Sequence, residues 1–268
     1  MSGFSADWLA LRAAADARAR SAPLIAKAIL AASRDGAPHV MDLGAGTGAT
    51  MRALAPAIEP AHTWTLVDAD KALLTEAQRL YSAAPMVGVG LSTLHHDLVA
   101  SPVPWDAGAH RPTLVTASAL FDLASQEFVT ALAAACARER IPLLSMLSFD
   151  GVLELAPSHP FDGPMVEAFN RHQRGEKSFG RALGPDAVPA LSAAFTSHGF
   201  VEDQASTPWV LEAGRDDALM VAMMDGWAGA GAEVLPSHHA DIEDWLASRH
   251  TATERLVVGH RDQLFLPG

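Results

Sequence analysis

The sequence predicts an α/β chain whose sheet is mostly parallel and covered by helices on both faces. Three observations carry this. Short apolar runs alternate with amphipathic stretches at the spacing of βαβ units. A glycine-rich bend, Asp42-Leu-Gly44-Ala-Gly46-Thr-Gly48, joins the first apolar run to the stretch that follows it. An acid, Asp68, ends the next apolar run 24 residues after Gly44.

Taken in order, residues 6–33 read as two helices. Trp8, Leu9, Leu11 and Arg12 open an Ala-rich amphipathic stretch, and Pro23 starts a second that stops before Gly36. Residues 39–43 form a short apolar run against glycines, hence a buried strand. A helix over 50–58, a strand over 63–67 and a helix over 71–81 follow. Strands near 89–95 and 113–117 precede a helix over 126–138 and a strand over 141–149. Asp150-Gly151 then stands between two apolar runs, a two-residue hairpin signal, so residues 152–155 are expected to fold back on the fifth strand. Residues 163–174 read as a helix, 175–184 as a glycine-punctuated loop, 186–198 as a helix and 200–205 as a strand. Helices fit 216–229 and 240–249, and the alternating run 256–266 makes a final strand. No internal repeat and no linker divides the chain. Residues 1–268 are read as one domain, with an N-terminal helical cap (1–36) and helical insertions (155–184 and 212–250) placed to form a lid.

With 19 basic and 31 acidic side chains the net charge is −12. This disfavours a phosphate backbone as the main partner, since such binding rewards basic faces. Cys136 is the single cysteine and sits in an Ala-rich run. It excludes an intrachain disulfide and reads as a small buried helix residue. The first residues carry no basic and apolar leader, and no run of about 18 apolar residues occurs, so a cytoplasmic protein without a membrane partner is expected. His238-His239 and the other histidines lack ligand spacing with nearby acids, so no metal is expected. Trp209, Trp227 and Trp245 read as packing residues.

The glycine bend is the strongest functional signal. Glycines let the backbone turn sharply and let a ligand approach where a Cβ would clash. In open α/β sheets this first bend is where nucleotide-like ligands lie, and an acid at the next strand's end can accept from both ribose hydroxyls. Asp70 competes with Asp68 for that role, and Asp68 can also be read as a cap of the helix from Lys71. The run Gly44-Ala-Gly46-Thr-Gly48-Ala49 formally fits a dinucleotide fingerprint as well, so an NAD-dependent oxidoreductase is the rival reading.

The fuller pattern D-x-G-x-G-x-G, with Asp42 two residues before Gly44, resembles motif I of the class I S-adenosylmethionine-dependent methyltransferases. The resemblance covers residues 38–149 well and the rest loosely. It implies a Rossmann-like, mostly parallel seven-stranded sheet with an antiparallel last strand, and S-adenosyl-L-methionine as cofactor. On that resemblance Asp42, Gly44, Ala45 and Gly46 face the methionine end of the cofactor, and Asp68 with Ala69 faces the ribose. Asp97 and Leu98 face the adenine, with a loop cap as the other reading of Asp97. Ser118, in the fourth-strand end Ser118-Ala-Leu-Phe-Asp122, faces the methyl group and the acceptor.

Methyl transfer from a sulfonium needs alignment and exclusion of water, with a general base only where the nucleophile carries a proton. Asp122 is one candidate base, and a helix N-cap region is its other reading. The cationic stretch around 169–181 supplies another, His172, with Asn170 and Arg174 one helical turn apart as candidate clamps for a polar or carboxylate-bearing acceptor. A solvated helix end is the alternative there. Arg12, Asp16 and Arg20 share one helix face and read first as a surface ion-pair ladder; alternatively an arginine, Arg12, turns inward to a substrate carboxylate. The Asn-Pro-Pro-aromatic motif of family members that methylate nucleic-acid bases is replaced by Ser118-Ala-Leu-Phe-Asp122. A small-molecule acceptor without nucleic acid is therefore expected. A non-catalytic subunit that binds the same cofactor is the remaining alternative.

Overall fold

A computed structural model describes residues 5–268 other than Asp35 and Pro60. Helices α1 (Ala6–Ala19) and α2 (Ala22–Ala32) precede β1 (His39–Leu43), α3 (Ala49–Leu54), β2 (His62–Asp68), α4 (Lys71–Ala83), β3 (Val89–His95) and β4 (Leu114–Ser118). Then come α5 (Gln126–Glu139), β5 (Leu143–Ala156), α6 (Asp162–Gln173), the two-residue strands β6 (Glu176–Lys177) and β7 (Gly180–Arg181), and α7 (Ala187–Ser197). β8 (Phe200–Ser206), β9 (Trp209–Glu212), α8 (Asp217–Val234), α9 (His239–Ala252) and β10 (Arg255–Pro267) complete the chain.

Polar caps set the helix starts. Ser5, Ser21, Asp70 and Ser125 each accept a first-turn amide, of Trp8, Leu24, Ala72 and Phe128 in turn. Such a cap satisfies a donor that the helix itself leaves unpaired.

The main sheet runs β3-β2-β1-β4-β5-β10-β8, with β9 also on β10. β3, β2, β1, β4 and β5 are mutually parallel, and β10 is antiparallel to β5, β8 and β9. The expected antiparallel last strand is present, and β9 makes an eighth strand where seven were expected. On one face, Phe128 and Leu132 of α5 and Leu191 and Phe195 of α7 pack on Met41, Leu43 and Val115. On the other, Leu24 and Ala28 of α2, Met51 of α3 and Leu74 of α4 pack on Val40, Trp64 and Leu66. Alternate residues of β1 thus feed two cores, as a strand buried on both sides must.

The hairpin expected at Asp150-Gly151 does not form. β5 runs on to Ala156, and β10 lies along it, with Leu153 opposite Val258 and Phe149 opposite His260. Residues 150–152 bulge out against Gly259, and Gly151 takes φ 91°. A long-range partner strand outweighs the local turn signal. Beyond the bulge, β5, β10 and β9 form a platform whose apolar side chains pack on α1, α6, α8 and α9, with Trp227 and Trp245 buried in that third core. Cys136 is fully buried in α5. No helix among the described residues is long and apolar enough to cross a membrane.

Candidate active site

The bend after β1 is left-handed at Gly44 (φ 63°), Gly46 (φ 54°) and Gly48 (φ 77°), a region that residues with a Cβ rarely enter. Ala45 N donates to the Val67 carbonyl at 3.0 Å, tying the bend to β2. Asp68 completes the tie: its Oδ2 accepts from Gly46 N and its Oδ1 from Asp70 N, both at 2.8 Å. The cap of α4 is Asp70, whose Oδ1 accepts from Ala72 N. Asp68 is half-buried at the strand end and Ala69 beside it is exposed. A Cβ on Gly44 would meet Leu120 Cδ1 at 2.9 Å, and one on Gly46 would meet Leu9 Cδ1 at 2.9 Å. The Cβ directions of Gly44 and Gly46 thus end on methyl tips of side chains, the one from Leu9 carried by α1, and Gly46 is buried beneath its neighbour.

Beneath the bend, Asp42 is buried. Thr116 Oγ1 donates to its Oδ1 at 2.7 Å, and its Oδ2 has no hydrogen-bond partner. Burial pushes this carboxyl up to about 7, with the Thr116 hydroxyl, the nearby Arg20 and the Thr50 hydroxyl acting in the opposite direction. Arg20 Nη2 donates to Ser118 Oγ at 3.4 Å, while Arg20 Nε is buried without a partner. Burial pushes this guanidinium below its usual range. A buried carboxylate oxygen and a buried guanidinium nitrogen thus stand unsatisfied beside the same bend.

Arg12, Asp16 and Arg20 do not form the surface ladder expected for them. Arg12 and Asp16 are buried. Arg12 Nε donates to Asp16 Oδ2 at 3.1 Å, and Trp209 Nε1 donates to Asp16 Oδ1 at 3.1 Å. The Arg12 guanidinium lies 4.8 Å from the Trp209 ring centre. α1 is Ala-rich with no strong apolar stripe, so its sequence does not mark which face packs.

Asp122 follows β4. Its Oδ1 is buried without a partner, and burial pushes the carboxyl up to about 6, with the Arg12 charge among the opposing influences. Its main-chain carbonyl accepts from Gly184 N at 2.8 Å, which docks the loop after α6 onto the strand-four end. Asn170 Nδ2 donates to the Gly151 carbonyl at 3.0 Å, and its Oδ1 is a further buried atom without a partner.

The structure does not bring the other two candidates of this stretch to the cluster. His172 Nε2 sits 3.3 Å from Glu233 Oε2, with Lys177 Nζ 3.4 Å from its Nδ1. Arg174 Nε donates to Asp186 Oδ2 at 2.7 Å. Asp97 is exposed beyond β3, and its Oδ1 accepts from Val99 N at 2.8 Å, a loop cap. Leu98 is buried in the core.

Three contributors were not singled out in the sequence: Arg20 as a site residue, His260 and Asp262. His260 is buried beside Trp209 and Phe149. Asp262, fully buried, accepts from Ser21 N at 2.8 Å, Leu147 N at 2.8 Å and Thr207 Oγ1 at 3.0 Å. The available signal was polar residues inside the otherwise alternating run of β10. Among the described residues no cluster of three or more His, Cys, Asp or Glu side chains is arranged to hold a metal. An open groove lined by Ile58, Met86 and Val89 lies at the opposite, N-terminal ends of β2 and β3.

No protein-family model matches the chain, and no curated protein matches it in sequence. Solved structures do match. A cyclopropane-fatty-acyl-phospholipid synthase-like protein from Lactobacillus casei aligns with TM-score 0.58 and 11% identity, over 98% of this chain and 95% of that one. YcgJ from Bacillus subtilis aligns with TM-score 0.52 and 14% identity, over 92% and 100%. A SAM-dependent methyltransferase from Geobacter sulfurreducens, in complex with S-adenosyl-L-homocysteine, aligns with TM-score 0.51 and 13% identity, over 99% and 100%. With its 3-2-1-4-5 parallel half, its antiparallel strand and these neighbours, the chain has the fold of the class I S-adenosylmethionine-dependent methyltransferases.

Proposed function

We propose that the protein transfers a methyl group from S-adenosylmethionine to a small polar molecule, without nucleic acid or membrane as partner. The observation that carries this reading is the unsatisfied pair beside the glycine bend: Asp42 Oδ2, an acceptor, and Arg20 Nε, a donor. Leaving such groups buried and unpaired costs roughly 1–3 kcal/mol each. A zwitterionic amino-acid group answers both, its ammonium to Asp42 and its carboxylate to Arg20. Asp68 with Ala69 would hold the ribose, Asp97 and Leu98 the adenine, and Ser118 the methyl side. Bound there, the cofactor supplies an activated sulfonium methyl. The chain's own part is to orient donor and acceptor, exclude water, and take a proton at Asp122 when the nucleophile carries one.

The arrangement of strands supports this over the dinucleotide reading. The open dinucleotide-binding sheet has the order 3-2-1-4-5-6 with the sixth strand directly beside the fifth. Here antiparallel β10 separates β5 from β8. Arg12 and Arg174, the cations expected to clamp an acceptor carboxylate, already pair with Asp16 and Asp186. That favours a polar acceptor over one defined by a carboxylate.

Calorimetric titration with S-adenosylhomocysteine and with NAD tests the reading. S-adenosylhomocysteine should bind and NAD should not. Arg20→Gln should weaken S-adenosylhomocysteine by about 1.5–3 kcal/mol, the range for a charge-assisted hydrogen bond. Binding of NAD without S-adenosylhomocysteine would overturn it.

A further inference from the structure

A second group of polar side chains gathers where β1 begins, at the end of the sheet away from the glycine bend. His39 opens β1, and His110 and Arg111 stand in the chain leading into β4. The main chain ties the two segments together. Thr113 N donates to the His39 carbonyl at 2.8 Å, and His39 N donates to Thr113 Oγ1 at 3.0 Å. His39 and His110 are 71 residues apart in sequence, so no local spacing announces the pair.

Three atoms meet there. His39 Nδ1 lies 2.9 Å from His110 Nδ1 and 3.2 Å from the Arg111 carbonyl oxygen, and His110 Nδ1 lies 3.0 Å from that same oxygen. A chain of hydroxyls fixes the far side of the His39 ring. Ser92 Oγ donates to the Trp64 carbonyl at 3.1 Å, so its oxygen receives the Thr65 hydroxyl at 2.9 Å. Thr65 Oγ1 in turn receives the His39 Nε2 proton at 2.9 Å. A neutral imidazole that gives away its Nε2 proton keeps a lone pair at Nδ1. Two imidazole nitrogens and a carbonyl oxygen therefore crowd one point with at most one proton, that of His110, among them. His39 is buried, whereas His110 and Arg111 are exposed, so the triangle borders solvent. The Arg111 guanidinium is engaged by Glu139 at 3.2 Å.

We propose that this triangle binds a divalent transition-metal ion, with His39 Nδ1, His110 Nδ1 and the Arg111 carbonyl oxygen as ligands and water completing the set. Ligands about 2.1 Å from one ion stand roughly 3.0 Å apart at right angles and roughly 3.4 Å apart at the tetrahedral angle. The three edges, 2.9, 3.0 and 3.2 Å, lie nearer to the right-angled case. Right-angled nitrogen and oxygen donors suit Ni²⁺ or Cu²⁺ better than tetrahedral Zn²⁺, and the imidazoles disfavour Mg²⁺, which takes oxygen donors. The link from His39 through Thr65 to Ser92 is the outer contact that sets the tautomer and direction of a ligating histidine. A bound ion clasps the segment before β4 to the start of β1.

The full chain, stripped with a chelator and carrying no histidine tag, tests this by calorimetric titration with Ni²⁺. One ion should bind per chain, Mg²⁺ should not, and Ni²⁺ should raise Tm as a ligand of the native state does. His110→Ala removes a ligand from an exposed loop and should weaken Ni²⁺ by about tenfold or more. Thr65→Val, which removes the hydroxyl that orients His39, should weaken it by about 10–100-fold, and Thr65→Ser should keep it. His238→Ala, outside the triangle, should change nothing. The Tm of each variant without metal checks folding. With Cu²⁺, electron paramagnetic resonance should show two coordinated imidazole nitrogens in the wild type and one in His110→Ala. Absence of stoichiometric Ni²⁺ binding overturns the proposal. So does equal binding by the wild type and His110→Ala, which means an adventitious ion only, held by other histidines. Neither result bears on the cofactor reading, whose titration uses metal-free protein.

Discussion

Asp68 and Asp70 stand two residues apart and have different duties. Asp68 ties the glycine bend to β2 through Gly46 N and Asp70 N, whereas Asp70 Oδ1 caps α4 at Ala72 N. A carboxylate that already fixes the bend from the neighbouring strand presents its remaining lone pairs along the same edge, where a ribose would lie. Asp68→Ala should therefore weaken S-adenosylhomocysteine binding by roughly 1–3 kcal/mol and also lower Tm. Asp70→Ala should lower stability by about 1 kcal/mol and leave the affinity nearly intact. Calorimetry and thermal melts on the two variants separate these outcomes; equal affinities would make Asp68 a scaffold residue alone.

At the scale of elements, the joint between α1 and α2 is what brings Arg12 and Arg20 inward, and Asp262 holds that joint. Its carboxylate collects Ser21 N from the joint, Leu147 N from β5 and Thr207 Oγ1 from the turn before β9. Asp262→Ala orphans three donors and should cost about 2–4 kcal/mol of unfolding free energy in denaturant titrations. Asp262→Asn, which keeps an accepting oxygen, should recover part of the loss. The strands around the glycine bend were legible because apolar runs of strand length and the bend itself are local signals. β9 was not, being four residues long and lying just after Pro208. The Asp150-Gly151 hairpin was misread because its competitor, β10, lies about a hundred residues further along the chain. The i, i+4 spacing of Arg12, Asp16 and Arg20 placed them on one face but gave no sign that the face was buried. Glu233, which engages His172, is likewise remote in sequence, and Asp186, which engages Arg174, lies beyond the glycine-punctuated loop.

Across the whole molecule, the site leaves its mark on the pH dependence of folding. Asp42 holds its proton to about pH 7 in the folded chain, against an ordinary value of 3.8, and Asp122 holds its own to about 6. Between roughly pH 4 and those values the folded state keeps protons that the unfolded chain has released, so stability falls as pH rises through that window. His260, moved from 6.5 to about 3, acts in the opposite sense and removes stability as pH falls below about 6.5. From about pH 4 to 6 the two carboxylates outweigh the one imidazole by a single proton, a slope of about −1.4 kcal/mol per pH unit from these three groups. Asp42→Asn keeps an oxygen for Thr116 and removes the largest of the three contributions above pH 6. Its Tm should therefore gain on the wild type as pH rises from 5 to 7, by about 2–4 °C for each kcal/mol. An ammonium placed beside Asp42 favours the carboxylate. S-adenosylhomocysteine should then bind the wild type more tightly as pH rises from 6 to 8, with release of a proton, and Asp42→Asn should lose that dependence. Parallel pH profiles for the two proteins, free and bound, would mean that Asp42 is ionised throughout; the strain attributed to its burial would then have to be relieved within the fold itself, leaving the cofactor's ammonium no unmet carboxylate to answer.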